Sequence, residues 1–139
     1  MSVYFWLGLL WTAPEFVRQE GRAVYGSQKG DVYSFAIVLY EIYGKKGPFG
    51  ETHLTAKGIL APSIHSVFSY MCSGFVAEII TRVRHRYVGE KAYRPPLSAL
   101  GSVPKFVTDT IEECWGEDPS SRPEFKTVQR LLKPLQKGM

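Results

Sequence analysis

At 139 residues, with 45% hydrophobic and 22% charged side chains, the chain is large enough for one domain with its own core and too balanced for a disordered or fibrous protein. Its net charge of +4 is modest, and the densest basic point, Arg82-Val83-Arg84-His85-Arg86, comes with no groove-reading motif or stacking repeat, which argues against a nucleic acid partner. Cys72 and Cys114 form no Cys-x-x-Cys pair and have no zinc-site spacing to His53, His65 or His85, so reduced thiols and no metal are expected.

The opening eleven residues are apolar but lack a basic leader and are too short to cross a bilayer, so no membrane span is expected in this chain. The motif Ala13-Pro14-Glu15 follows. Over 32–43 the residues Val32, Phe35, Ala36, Leu39, Ile42 and Tyr43 recur at helical spacing, with Ile37 and Val38 on other faces. A helix apolar nearly all round should be central, with Tyr33, Tyr40 and Tyr43 buried and Tyr25, ahead of it, exposed. Asp31 sits at its start, where a carboxylate meets unpaired backbone N–H groups. Gly44 supplies the stop signal, and Gly47-Pro48-Phe49-Gly50 a turn.

A second helix is predicted over 76–84, with Val76, Ile79, Ile80 and Val83 on one stripe and cations near its C-terminal pole. A third is predicted over about 104–115, with Pro104 in its first turn and Phe106, Val107, Ile111, Cys114 and Trp115 turned inward. In that apolar setting Cys114 reads as a small buried hydrophobe. A fourth, over about 123–132, carries Phe125, Val128, Leu131 and Leu132. No strand-like alternation of useful length appears, so the fold class is mainly α.

Ala13-Pro14-Glu15, with Cys114-Trp115 through Arg122-Pro123, resembles the protein kinase fold. The resemblance implies that Arg122 holds Glu15, tying the activation segment to the helical lobe, a structural role that suits a planar guanidinium facing a carboxylate. The run Lys29-Gly30-Asp31-Val32-Tyr33-Ser34-Phe35-Ala36 is similar to the kinase-homology domain of receptor guanylate cyclases, whereas ordinary tyrosine kinases usually show Ser-Asp-Val-Trp-Ser-Phe-Gly there. Tyr43-Gly44-Lys45-Lys46-Gly47-Pro48-Phe49-Gly50 and the ending Leu132 to Met139 lean the same way. The resemblance covers 9–57 and 78–139. It implies that residues 1–139 are a partial protein kinase-like large (C-terminal) lobe, lacking the small lobe, the catalytic loop and the metal-binding motif. Residues 58–77 break the resemblance and read as an atypical insert, expected to be a loop and to stem from a translated intron or a gene-model error, with a similar origin expected for residues 1–8.

Phosphoryl transfer needs a glycine-rich loop, a strand lysine, a catalytic aspartate with its asparagine, and Asp-Phe-Gly. The 139 residues contain none of these, and His85-Arg86-Tyr87 lacks the aspartate that would give it catalytic weight. The resemblance therefore implies a non-catalytic piece of a pseudokinase that, in the intact receptor, relays ligand binding to cyclic GMP synthesis. No cofactor is expected in this chain. ATP and GTP with magnesium are expected for the intact parent, a homodimeric single-pass receptor whose small lobe and cyclase domain would be this chain's partners on the cytoplasmic side of the plasma membrane. Asp31, whose counterpart in a kinase orients the catalytic loop, is left as a helix-start acid. Trp11 and Trp115 are read as packing residues, Trp115 supporting Arg122. Two alternatives are a C-lobe fragment of a tyrosine-kinase-like enzyme and a stand-alone interaction module.

Overall fold

The computed structural model describes residues 8–19, 26–50, 76–85 and 91–138. Within these residues every regular element is a helix. A 3-10 turn at Leu9–Trp11 leads into α1, Pro14–Val17, where proline opens the first turn because its missing N–H would have no intrahelical acceptor there. Next come α2, Gln28–Gly44, and α3, Val76–Arg84. A 3-10 turn at Leu97–Leu100 precedes α4, Lys105–Cys114, and another at Pro119–Ser121 precedes α5, Phe125–Leu131, which runs into a 3-10 stretch at Lys133–Gly138.

The helix α2 starts earlier than its apolar pattern does. Ser27 is its N-cap, with Oγ accepting the Gly30 N–H at 3.0 Å, so Asp31 lies in the first turn and is exposed. Its end also differs from the expected glycine stop. Gly44 is the last helical residue, and Lys45 takes the left-handed position at φ 57°, its N–H donating to Glu41 O at 2.7 Å. Gly50, at φ 69°, closes the following turn; a Cβ there would stand 3.1 Å from the Tyr40 hydroxyl.

Two apolar clusters organise these elements. The larger centres on α2, whose Val32, Tyr33, Ala36, Ile37, Leu39 and Tyr40 are buried against Val107, Ile111 and Cys114 of α4, with Val128 of α5 beyond. The smaller joins Leu10 and Val17 at the N-terminal end to Phe49 and to Val76, Ile79, Ile80 and Val83, the predicted stripe of α3. Trp11 packs against both clusters. All-round burial of α2 is corrected: Val38 is 42% and Ile42 62% exposed, and Tyr43 is half-buried. Phe106 is likewise half-buried, and Pro104 is the N-cap of α4 and not a first-turn residue. Of the segment read as an insert, 58–75 lies outside the described residues, as do Tyr25 and residues 1–7. Val76 and Ala77 open α3, and Val76 is buried.

Candidate functional site

The described residues converge at one place where backbone amide geometry, charge and aromatic rings meet. Arg122 follows the 3-10 turn at Pro119–Ser121, and its side chain is wholly buried. An isolated buried guanidinium is costly, and it must find acceptors for five N–H groups. Here it finds them. Nη1 donates to Glu15 Oε1 and Nη2 to Glu15 Oε2, each at 2.8 Å, a parallel fork across 107 positions of sequence. Nη1 also donates to Lys29 O at 2.9 Å, and Nε to Gly116 O at 2.8 Å, while Nη2 has a longer contact of 3.5 Å with Glu117 O. One side chain thus joins α1, the first turn of α2 and the loop after α4.

Lys29 returns the favour from the other side. Its Nζ donates to Arg122 O at 2.5 Å and pairs with Glu124 at 2.9 Å, fastening the entrance of α5 to the start of α2.

A second ion group lies beside the first. Glu117 accepts from Arg18 through one carboxylate oxygen and from Arg94 Nη2 at 2.9 Å through the other. Arg18 further donates to Arg84 O at 2.8 Å and Val83 O at 3.3 Å, which caps the open C-terminal carbonyls of α3. Arg94 also donates through Nε to Trp115 O at 2.8 Å. Burial works to raise the Glu117 carboxyl, but the hydrogen bonds and charges of Arg94 and Arg18 together outweigh it and hold the group below its ordinary range.

Tyr33 joins the two groups. The Arg94 guanidinium lies 5.1 Å and that of Arg122 5.3 Å from its ring centroid, within the range in which a cation is drawn to an aromatic face. The ring lets two cations share a buried space. Burial raises the phenol above its ordinary value, opposed by both arginines, and its hydroxyl has no hydrogen-bond partner.

The remaining residues singled out from the sequence sit around this junction. Trp11 donates through Nε1 to Glu41 at 2.5 Å, and its carbonyl accepts from Ser34 at 2.7 Å. Trp115 packs against Tyr40, ring centroids 6.0 Å apart, and reaches the junction through its carbonyl. Asp31 is exposed, on the helix whose Lys29 carbonyl meets Arg122, but its carboxylate is no part of the junction. Arg18, Lys29, Arg94 and Glu117 were missed by sequence reasoning, and Tyr33 was expected to be buried, as it is, but not to meet two arginines. One signal was available for Tyr33: an aromatic on a central helix, two residues after Gly-Asp, stands where kinases carry tryptophan. No group of three or more His, Cys, Asp or Glu poised to hold a metal occurs among the described residues.

Comparison with known proteins places this chain in a family. The family model for protein tyrosine and serine/threonine kinases matches residues 6–132. A receptor-type guanylate cyclase of Drosophila melanogaster is 36% identical over 93% of this chain and 7% of its own length. The Speract receptor of Strongylocentrotus purpuratus is 39% identical over 94% of this chain and 10% of its own, and atrial natriuretic peptide receptor 2 of Anguilla japonica is 34% identical over 92% and 10%. The chain thus spans about a tenth of the length of the curated relatives it matches. It belongs to the protein tyrosine and serine/threonine kinase family and, within it, to the kinase-homology domains of receptor-type guanylate cyclases.

Proposed function

We propose that this chain is the C-terminal-lobe part of a regulatory pseudokinase domain, non-catalytic in itself, that in an intact receptor relays ligand binding to cyclic GMP synthesis. The observation that carries the reading is the match, over more than nine-tenths of the chain, to proteins named as guanylate cyclases and receptors. The junction suits such a role mechanically. A relay needs elements that move as one body, and the Glu15–Arg122 fork with the Glu117 group fastens α1, α2, α3 and the α5 entrance together. ATP and GTP with magnesium, a homodimeric arrangement, the small lobe and cyclase domain as partners, and a place on the cytoplasmic face of the membrane all belong to that intact receptor in this reading. Of the segment 58–77 read as an insert, residues 58–75 are proposed to be foreign to the domain, whereas Val76 and Ala77 belong to α3.

The test is a full-length read of the transcript followed by assay of its product. A message that omits the atypical segment ahead of α3 and runs on into a cyclase domain, with a product converting GTP to cyclic GMP, supports the reading. A message that stops after Met139 overturns it. Calorimetric titration of the chain with ATP and magnesium is expected to give no saturable heat, and saturable magnesium-dependent binding would overturn the expectation that this chain holds no nucleotide.

A further inference from the structure

We infer that α3 is a releasable arm of the molecule, fastened by a latch in which Glu117 holds the Arg18 guanidinium across the C-terminal end of that helix. With nine residues, α3 is shorter than the roughly 12 at which an isolated helix becomes even marginally stable, so it persists through packing and capping. Its four buried side chains, Val76, Ile79, Ile80 and Val83, all belong to the smaller apolar cluster, and none belongs to the larger one around α2 and α4. Its neighbour α1 has a separate tie to that larger body, the Glu15–Arg122 fork, in which α3 takes no part.

The far end of α3 rests on Arg18. A helix leaves its last four carbonyls without intrahelical donors. Here Thr81 O accepts from the His85 N–H at 3.1 Å, while Arg84 O and Val83 O accept from Arg18 Nε at 2.8 Å and Nη2 at 3.3 Å. The same Nη2 donates to Glu117. The Arg18 side chain is only 16% exposed, so its charge is largely withdrawn from water and depends on that acid.

Glu117 is fixed in turn by Arg94, which is 7% exposed and anchored on Trp115 O and Tyr93 O. The two arginines answer differently to loss of the carboxylate. Arg94 keeps two carbonyls and the Tyr33 ring within the body. Arg18 keeps two carbonyls on α3 but loses its counter-ion, and a half-desolvated cation is then drawn to water, which uncaps the helix. Glu117 is thus a positioning residue that acts through Arg18. Arg82 also meets the Tyr93 ring, 5.5 Å from its centroid, but its side chain is half exposed, where such a contact is weak. Release would uncover the α3 stripe together with Leu10 and Val17, apolar surface that the closed form buries. The inference does not depend on the relay reading.

Native-state hydrogen exchange on the full chain near neutral pH tests it. In the unmodified chain the α3 amides are expected to exchange through an opening that leaves α2 folded, so their rates should depend little on low urea while those from Val32 to Tyr40 climb steeply. Glu117→Gln should speed α3 exchange about tenfold. Ser27→Ala, which weakens the start of α2 equally in the closed and α3-open forms, should speed exchange in α2 and leave α3 unchanged. Arg18→Met should match or exceed Glu117→Gln, and adding Glu117→Gln to it should bring no further increase. Circular dichroism verifies the fold of each variant. A shared urea dependence of α3 and α2 in the unmodified chain, α3 exchange unmoved by Glu117→Gln, an equal response of α3 to Ser27→Ala, or an added effect in the double variant would each overturn the inference.

Discussion

Arg122 shows how a single side chain is made to tolerate complete burial. Desolvating a guanidinium costs several kcal/mol, and the cost is offset only when the fork and the leftover donors all meet oxygen, as they do here with Glu15, Lys29 O and Gly116 O. Arg122→Leu is therefore expected to destabilise the chain by about 3–5 kcal/mol in urea denaturation, because it strands Glu15 and the carbonyls. Arg122→Lys should recover little, since an ammonium cannot make the parallel fork. A loss of about 1 kcal/mol or less would place the pair with ordinary surface ion pairs. Glu117 supplies the pH dependence. Its folded carboxyl lies below the ordinary 4.5, so its contribution is fully present above about pH 4.5 and is lost as pH falls through the depressed value. Melting temperature should drop over that acid range, and Glu117→Gln should flatten the drop while lowering stability near neutrality. An unchanged acid limb in the variant would assign the drop to other carboxylates.

At the level of elements, the ends of α2 matter more than its middle suggests. Ser27→Ala removes the oxygen that accepts Gly30 N–H and is expected to cost about 1 kcal/mol in thermal unfolding. Gly30→Ala should cost more, because its Cβ would stand 2.3 Å from Phe16 Cε2 and the ring would have to swing out of its place between α1 and α2. An alanine variant as stable as the parent would show that Phe16 relocates freely. Periodicity made the existence of α2, α3, α4 and α5 legible, since each buries one apolar stripe against a neighbour. It could not show where α2 begins. Gln28, Lys29 and Gly30 carry no apolar signal, and only the backbone path reveals Ser27 as the cap. The left-handed turn taken by Lys45 where glycine was expected one residue earlier is the same kind of local fact.

Across the whole molecule, two clusters are held together by side chains reaching between distant segments, with Trp11 between them and Arg18 linking α1, the end of α3 and Glu117. Cys114 reports on this assembly. Burial, with the nearby Glu113 charge, pushes its thiol up to about 12, so in a Cys72→Ser background iodoacetamide at pH 8 should react only as fast as the core opens, and the rate should rise steeply through the denaturation midpoint. Rapid labelling without denaturant would mean that α4 opens locally. The sequence by itself determined the helical class, the α3 stripe, the buried face of α4, and the two motifs that bear Glu15 and Arg122, because period, proline and charge are properties of neighbouring residues. Only the tertiary structure decided which carbonyls surround Arg122, that Arg18 and Arg94 share Glu117, that Tyr33 meets two guanidiniums, and that Val38 and Ile42 of α2 are exposed among the described residues. The physical reason is that these contacts join positions tens of residues apart, and no local pattern encodes which distant oxygen or ring will be brought within 3 to 6 Å of a given charge.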